Sequence, residues 1–193
     1  MSLMKGPFKK IGSKLVVLKD TSELMIHLAY LSLLLNSHEL AEEVQLLEER
    51  VGHLHTEFEF LILSSGFNPE QSKDFLGLIR LGAVTERIAD AAAKMAAIVL
   101  RGVKPHPVLR LVIEEAEETV ARIQVSAKSP LAGKSLRDTQ IPEETGLWVL
   151  VIRRGKTWLR PKPETVIKAG DILLASGYAE GVEDLTKLAT GEL

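Results

Sequence analysis

The stretch VARIQV, residues 120–125, marks the point at which the hydrophobic period of the sequence changes. Upstream, apolar residues recur every three or four positions, which is the spacing of α-helices. From Val120 onward they alternate, so that Val120, Ile123 and Val125 fall on or near one face of a strand. The chain is therefore predicted to be α+β in two domains, a helical domain over residues 1–116 and a strand-rich domain over residues 117–193.

Turn signals divide the upstream part into helices. The capping-box pattern of Asp20 and Glu23 predicts that the first helix begins at Asp20. Similar N-cap, proline and glycine signals delimit a second, a third and a short fourth helix, over about residues 36–66, 68–102 and 108–118. Apolar residues of the second helix alternate between steps of four and three, which indicates an antiparallel helical bundle.

Downstream of the first strand, the pattern predicts three further strands and a closing helix. The strands are expected at about 147–152, 157–160 and 172–175, and the helix at about 179–188. This order of elements favours a small β-barrel-like domain capped by one helix.

Composition removes several classes of function. The 193 residues carry a net charge of -2, so no nucleic-acid partner is expected, because phosphate binding needs a basic excess. The absence of cysteine removes thiolate zinc sites and thiol nucleophiles. The apolar run 24–35 is too short to cross a bilayer, and no secretory signal pattern opens the chain. We therefore expect a cytoplasmic protein.

Two segments partly match known catalytic or metal-binding motifs, but each lacks a feature that the motif requires. Residues 128–135, KSPLAGKS, end like a phosphate-binding loop, but Lys128 stands at the first glycine and Pro130 removes an amide donor. His53 and His55 lie about 200° apart around a helix and so cannot share one ion. The sequence identifies no catalytic residue and no cofactor, and the protein is not expected to be an enzyme.

The third helix shows two apolar faces. One is predicted to be a buried seam formed by Leu81, Val84, Ile88, Met95 and Ile98. Glu86 and Asp90, one turn apart, project to nearly the opposite side among smaller and apolar residues. A second surface is expected to pack there.

Residues 86–90, Glu-Arg-Ile-Ala-Asp in an alanine-rich helix, resemble the E-R-I-G-D type motif of PhoU-like helical domains. The resemblance covers about residues 20–118 and implies that Glu86 and Asp90 are candidate metal ligands. A structural pairing of these carboxylates within the bundle is the alternative. A single repeat with helices apolar on two sides implies a homodimer.

Four ordered segments downstream resemble the TrkA-C domain, the C-terminal domain of K⁺-conductance regulators (the RCK C-terminal domain). They are SPLAGKSL at 129–136, residues 146–153, Pro161-x-Pro163-x-Thr165, and residues 170–177. The resemblance implies a domain that dimerises and, in some members, binds a small ligand such as a cyclic dinucleotide between the two copies.

The same resemblance implies where a ligand would be contacted. Val125, Ser129 and Leu131 lie on the first strand and its outgoing loop, and three cations suited to anionic groups are Lys134, Arg153 and Arg154. The alternative is that Val125 and Leu131 belong to the core and that the two arginines are solvated at a hairpin.

Two functions follow from these resemblances. The first is a cytosolic regulatory or sensor subunit for a potassium channel or related cation transporter, binding a small ligand through its C-terminal domain. The second is a PhoU-like adaptor in phosphate or metal-linked signalling, in which the helical bundle is the active part.

Overall fold

The computed structural model describes residues 7–66, 68–102 and 118–192, without the side chains of Pro7 and Glu118. The chain divides into two compact units, residues 1–103 and 104–193. The predicted boundary at 116/117, and the predicted fourth helix apart from its last residue, lie outside the described residues. Each unit is described by itself.

The first unit is a bundle of three helices. They are α1 (Pro7–Leu34), α2 (His38–Leu63) and α3 (Ser72–Leu100), the last preceded by a 3-10 turn at Pro69–Gln71. Each helix contacts the other two. The predicted helical bundle is thus confirmed, and within the described ranges no helix is long and apolar enough to span a membrane.

The predicted start of the first helix is wrong. The helix begins at Pro7, and Asp20 lies in its middle, beside Lys19 with 3.0 Å between Nζ and Oδ1. Ile11, Leu18 and Met25 are buried at seven-residue intervals on both sides of Asp20. Because burying this stripe against the bundle outweighs the preference of Asp20 for a helix end, the helix continues through the capping signal.

The predicted seam of the third helix is also wrong. Leu81, Val84, Ile88 and Ile98 are 49%, 50%, 39% and 44% exposed, and Met95 is only half-buried. The buried face of α3 is instead made mostly of small residues: Phe75, Gly82, Thr85, Ala89, Ala92, Ala96 and Val99.

Close packing explains this reversal. A Cβ on Gly82 would lie 2.7 Å from Cε1 of the buried Phe58 ring on α2. Small side chains on α3 therefore let the large residues of α1 and α2 fill the core, and size rather than apolarity selects the inward face.

The second unit is a four-stranded antiparallel sheet. Its strands are β1 (Glu118–Gln124), β2 (Leu147–Arg154), β3 (Thr157–Leu159) and β4 (Ile172–Tyr178), in the spatial order β1-β4-β2-β3. The predicted strands are confirmed. The sheet is open, with β1 and β3 at its edges, which corrects the expectation of a barrel-like domain.

Within the described residues 118–192, three helices complete this unit. Two short ones between β1 and β2 were not predicted, α4 (Leu136–Thr139) and α5 (Ile141–Thr145), and α6 (Gly181–Thr190) closes the chain. The core lies on one face of the sheet and is formed by Ala121, Ile123, Val125, Leu131, Ile141, Leu147, Ile152, Ile167, Leu173, Ala175, Leu185 and Ala189. A Cβ on Gly181 would lie 1.7 Å from the Thr145 carbonyl oxygen, so α6 packs directly against the end of α5.

Candidate ligand-binding site

A hollow of about 400 Å³ lies at the edge of the sheet where β2 begins. Strand β3 pairs with β2 only over Ile152–Arg154, so the first half of β2 extends beyond it. Trp148 and Val149 of this free edge form one wall, and α4, α5 and the segment 161–163 form the others. The volume lies within the range of small-molecule sites.

The walls combine apolar surface with a few charges. Trp148 is 54% exposed and stands near Pro142, Pro161 and Pro163, a flat and rigid apolar surface. Arg137 and Lys162 bring positive charge to the rim, and Glu143 brings the opposite charge. Apolar walls with a small number of oriented charged groups are the usual composition of a recognition site.

Arg137 can exchange its present ion-pair partner, Glu164, for a ligand. Its Nη2 donates to Glu164 Oε1 over 2.7 Å, but both side chains are about two-thirds exposed, at 67% and 68%. An ion pair this exposed is worth about 0–1 kcal/mol because water screens it. An anionic ligand in the hollow can therefore take the place of Glu164.

A helix cap, a turn and two backbone hydrogen bonds hold the walls of the hollow in place. Ser135 caps α4 by accepting from Asp138 N–H, and Gln140 in the left-handed region at φ 50 turns the chain into α5. Leu136 N–H donates to Thr165 O, and Arg137 N–H donates to Pro163 O, each over 2.9 Å. The segment with the prolines is thereby tied to the start of α4.

The structure places the residues predicted on the first strand and its loop inside the domain. Val125 and Leu131 are 1% and 2% exposed and belong to the core. Ser129 Oγ donates to Leu188 O over 2.7 Å and accepts from Leu131 N–H over 3.1 Å. None of the three lines the hollow, and their contact with a ligand stays a prediction.

Arg154 is engaged in a structural ion pair. Its Nε and Nη2 donate to the two carboxylate oxygens of Asp171 over 2.9 and 2.7 Å, and Nη2 also donates to Val166 O. Burial raises the pKa of Asp171, but donation from Arg154 and from Lys168 N–H outweighs it and holds that pKa below its ordinary value. This fork ties the end of β2 to the turn before β4.

The other two predicted cations lie elsewhere on the domain. Lys134 is exposed after the β1 loop. Arg153 is half-buried, with its guanidinium carbon 5.3 Å from the centre of the Trp158 ring, a cation–π contact. Neither lines the hollow, and the structure does not gather the six predicted residues into one site.

The candidate metal ligands have separate surroundings. Glu86 Oε2 lies 2.8 Å from Nδ1 of His55, which is 8% exposed between α2 and α3. Asp90 lines a different hollow, with Glu48 and Lys94 among its neighbours. Among the residues that the structure describes, no three His, Asp or Glu side chains converge to hold a metal ion.

Three residues that line the hollow, Trp148, Arg137 and Lys162, are not among those predicted from the sequence. Two signals were present in the sequence. A tryptophan at the start of an apolar strand and the Pro161-x-Pro163 pair both lie in segments that resemble the TrkA-C pattern. What could not be read from the pattern is that β3 is too short to cover Trp148.

Comparison with known proteins agrees with this architecture. Residues 15–99 match the PhoU domain and residues 120–190 match the TrkA-C domain. A curated relative, "Potassium channel protein 1" of Methanocaldococcus jannaschii, is 40% identical over 82 residues, which are 42% of this chain and 24% of the relative. The chain thus spans about a quarter of the length of that relative.

Two solved structures are similar to parts of the chain. The RCK C domain of the potassium transport protein KtrA, in complex with cyclic diadenosine monophosphate, is 27% identical, with 42% of this chain and 94% of that chain covered and a TM-score of 0.35. BusR of S. agalactiae in complex with its promoter DNA is 17% identical, with 63% and 67% covered and a TM-score of 0.35. From the two family matches, the chain carries a PhoU domain followed by a TrkA-C domain, the arrangement that the sequence motifs predict.

Proposed function

We propose that the protein is a cytoplasmic regulator of a potassium channel or related cation transporter, and that its TrkA-C domain senses a small anionic ligand. The match to a potassium channel protein over 82 residues supports the first part. The observation that carries the second part is the hollow beside Trp148, with Arg137 and Lys162 at its rim.

The hollow suits a ligand that joins a flat ring to an anionic group. The exposed face of Trp148 offers a stacking surface for a base or another planar ring. After Arg137 releases Glu164, it and Lys162 can offer charge-assisted hydrogen bonds to phosphate or carboxylate oxygens. A cyclic dinucleotide has both features and is the ligand class that the TrkA-C resemblance implies.

We expect the ligand to be bound and not transformed. Of the described residues that line the hollow, none is a serine, cysteine or histidine, and Glu143 is the one carboxylate. An activated nucleophile and a matched acid–base pair are what chemistry would require. A regulator of this kind acts by favouring one conformation or assembly over another.

We further infer that the protein works as a homodimer. A two-fold axis through paired TrkA-C domains would bring two hollows into one assembly, as the resemblance implies. A ligand with two equivalent halves, such as a cyclic dinucleotide, would then contact both copies. Binding would couple ligand concentration to the stability of the dimer.

Calorimetric titration of the full chain with cyclic di-AMP tests the ligand proposal. We expect Arg137→Ala to weaken binding by about 1.5–3 kcal/mol, the range for a hydrogen bond to a charged group. Trp148→Ala should weaken it further by about 1–3 kcal/mol through lost stacking. Lys156→Ala, an exposed cation in the β2–β3 turn away from the hollow, is the matched control and should bind like the wild type.

Three results would contradict the proposal. The first is tight binding of cyclic di-AMP that neither Arg137→Ala nor Trp148→Ala affects, which would place the site elsewhere. The second is hydrolysis of the bound nucleotide on incubation, which would indicate an enzyme. The third is failure of cyclic di-AMP and of other nucleotides to bind at all.

The alternative function, a PhoU-like adaptor, is favoured by the PhoU match over residues 15–99. It requires that inorganic phosphate or a divalent cation bind the helical domain. Addition of Mn²⁺ or phosphate should then raise the melting temperature of the wild type, because a ligand that binds only the native state stabilises it. If the adaptor function is right, Asp90→Ala should abolish this Mn²⁺ effect. We expect the other outcome, in which a chelator leaves the melting temperature of the wild type unchanged.

The expectation that the protein binds no nucleic acid also stays a prediction. The net charge of -2 supports it, since a basic excess is what captures phosphate backbones. Fluorescence anisotropy with labelled duplex DNA checks it. Binding that weakens steeply with salt would contradict it.

A further inference from the structure

Two exposed rows run along the helical bundle, an apolar row on α3 and a mixed row on α1. The outer row of α3 contains Leu81, Val84, Ile88 and Ile98, which are 39–50% exposed, with exposed Ala91 and half-buried Met95 completing steps of three and four. The outer row of α1 contains Val16, Ile26 and Tyr30, which are 51%, 40% and 46% exposed, with the ion-paired Lys19 and Glu23 at the two positions between Val16 and Ile26. Alternating steps of three and four are the spacing with which one helix packs along another.

Contacts within the bundle put the outer row of α3 on the side away from α2. Glu86 reaches His55 of α2, and the Gln45 side chain of α2 donates to Ala93 O over 2.9 Å, so this edge of α3 faces α2. Val84 lies two residues before Glu86, about 200° around the helix. The row that contains Val84 therefore points away from α2.

The outer row of α1 points to the same side. Lys14 of α1 forms an ion pair with Glu57 of α2, and Val16 lies two residues later, again about 200° around. Phe8 of α1 stacks on Phe75 of α3 with 5.6 Å between ring centres, so α1 and α3 are neighbours. The two rows consequently form one largely apolar surface, the α1–α3 face, on the side of the bundle opposite α2.

The extent of this face matches a dimer interface. The outer row of α3 from Leu81 to Ile98 and that of α1 from Val16 to Tyr30 run for about 20–25 Å at 1.5 Å per residue. Two adjacent helices with their side chains are about 20 Å wide, so each copy offers about 400–500 Å², and the flanking turns add to this. A pair of copies would bury about 800–1,000 Å² between the two rows, and with the flanking turns this reaches the size at which specific interfaces begin.

The charges beside the rows decide the arrangement. Arg80, Arg87, Lys94 and Arg101 line the flank of α3 seven residues apart, on the side of its outer row away from α1. Asp20 and Glu23 lie in or beside the outer row of α1, next to Lys19. Packing α3 against α3 of another copy would bring like charges together. Packing α3 against α1 instead brings the basic flank of α3 to a stretch where two acids, Asp20 and Glu23, surround one cation, Lys19, with which both pair.

We propose that the α1–α3 face is covered by the same face of a second copy, with α1 of each copy packed along α3 of the other around a two-fold axis parallel to the helices. A two-fold axis parallel to the helices leaves every residue at the same position along that axis in both copies. Since Phe8 and Phe75 are level, Asp20 and Arg87, each twelve residues further along, are level as well. Asp20 of one copy then meets Arg87 of the other, and this pairing rests on the helical domain alone, independently of any ligand.

Thiol labelling of the full chain tests this inference, because the wild type has no cysteine. Val84→Cys places a thiol on the α1–α3 face, and Leu46→Cys, at a 63% exposed position of α2, is the matched control. At micromolar protein we expect Val84→Cys to react at least about tenfold more slowly, since its reactivity follows the fraction of unpaired copies. Dilution, or Ile88→Asp in the same chain, should restore the rate of the control.

A charge exchange tests the arrangement. Arg87→Glu should restore much of the labelling of Val84→Cys, and Asp20→Lys added to it should re-establish protection. If the double variant stays as reactive as Arg87→Glu alone, the α1-to-α3 arrangement is wrong.

Three results would overturn the proposal itself. One is equal labelling of Val84→Cys and Leu46→Cys at every protein concentration. Another is protection that persists when light scattering shows a monomer, because the chain would then cover its own face. The third is protection that requires added anionic lipid vesicles, which would assign the face to a membrane surface.

Discussion

The two domains bury their large apolar residues in opposite ways. In the TrkA-C domain, Leu147, Ile152 and Leu173 are fully buried in one core. In the helical domain, α3 turns alanines and a glycine inward and leaves Leu81, Val84 and Ile88 partly in water. Apolarity alone therefore does not decide which face of a helix is the core, since the space between neighbouring helices also selects by size.

A second difference concerns self-sufficiency. The TrkA-C domain contains an ion pair between the buried Asp171 and Arg154, whose side chain is 32% exposed, and the two satisfy each other within the domain. The helical domain instead carries an apolar surface that a second copy would cover. We therefore expect the TrkA-C domain to be sensitive to local changes in its packing, and the helical domain to be sensitive to association.

The largest effect is expected from adding one methyl group at Gly181. Gly181→Ala should lower the free energy of unfolding of the TrkA-C domain by roughly 3–5 kcal/mol, because its Cβ would lie 1.7 Å from a backbone oxygen that cannot turn away. Gly82→Ala in the helical domain should cost about 1–3 kcal/mol, because the obstacle is the Phe58 ring, a side chain that can adjust.

Urea unfolding of the full chain separates these two effects. Both tryptophans, Trp148 and Trp158, lie in the TrkA-C domain, so tryptophan fluorescence follows that domain. Far-UV circular dichroism is dominated by the helical bundle. If Gly181→Ala leaves the fluorescence transition where it is in the wild type, the close contact between α5 and α6 is wrong.

The next effect concerns the ion pair between Arg154 and the buried Asp171. Arg154→Ala should destabilise the TrkA-C domain by about 3 kcal/mol, because it leaves the charge of Asp171 buried without its partner. Asp171→Asn added to Arg154→Ala should recover part of this loss by removing the charge. The fluorescence transition in urea measures both, and Lys156→Ala, an exposed cation, should shift it by less than about 0.5 kcal/mol.

A smaller effect tests which face of α3 is the core. Ala89→Ile should destabilise the helical domain by about 2 kcal/mol, because it overfills the inward face. Ile88→Ala should cost about 0.5 kcal/mol or less in dilute protein, where copies are unpaired and Ile88 is exposed. Circular dichroism in urea measures both, and the opposite ranking would restore the seam predicted from the sequence.

The smallest expected effect is an opposite response of the two domains to acid. The pKa of Asp171 is held low in the folded TrkA-C domain. The stabilisation that ionised Asp171 gives the domain is therefore complete at pH values above the ordinary aspartate pKa of about 3.9, and it is lost as the pH falls through the pKa of Asp171 in the folded domain. Burial, and then the nearby Glu39, raise the pKa of Glu43 in the helical domain. The contribution of Glu43 to the stability of the helical domain is therefore most favourable at pH values below the ordinary glutamate pKa of about 4.3. It is lost as the pH rises through the pKa of Glu43 in the folded domain.

Unfolding measured between neutral and acid pH checks these signs. The fluorescence transition should weaken in acid, and Asp171→Asn should flatten that dependence. Glu43→Gln should remove the acid-side gain of the helical domain. A fluorescence transition that strengthens in acid would contradict the role given to Asp171.

Much of the fold could be predicted because it depends on local signals. The switch from helical spacing to alternation at Val120 located the two domains, and glycine and proline signals located most ends of helices and strands. The start of α1 could not be predicted in this way. The capping signal at Asp20 competes with burial of Ile11 and Leu18 on either side, and only the assembled bundle shows that burial prevails.

The candidate site was less predictable. The segments that resemble TrkA-C lie in the domain that contains the candidate hollow, but the residues chosen from them are partly in the core, like Val125, or engaged elsewhere, like Arg154 with Asp171. The hollow depends on how far β3 extends along β2 and on the hydrogen bond from Arg137 N–H to Pro163 O. Such relations between distant segments leave no periodic trace in a sequence.

The sequence by itself determined the kinds of element, their order and the two domain types, because hydrophobic period and turn chemistry act over a few neighbouring residues. Only the tertiary structure decided which apolar face of α3 is inside, which of Arg153 and Arg154 pairs with Asp171, and where Trp148 opens a hollow. Each of these depends on the volume and the hydrogen-bonding groups that another segment brings to the contact, and a linear pattern does not contain that information.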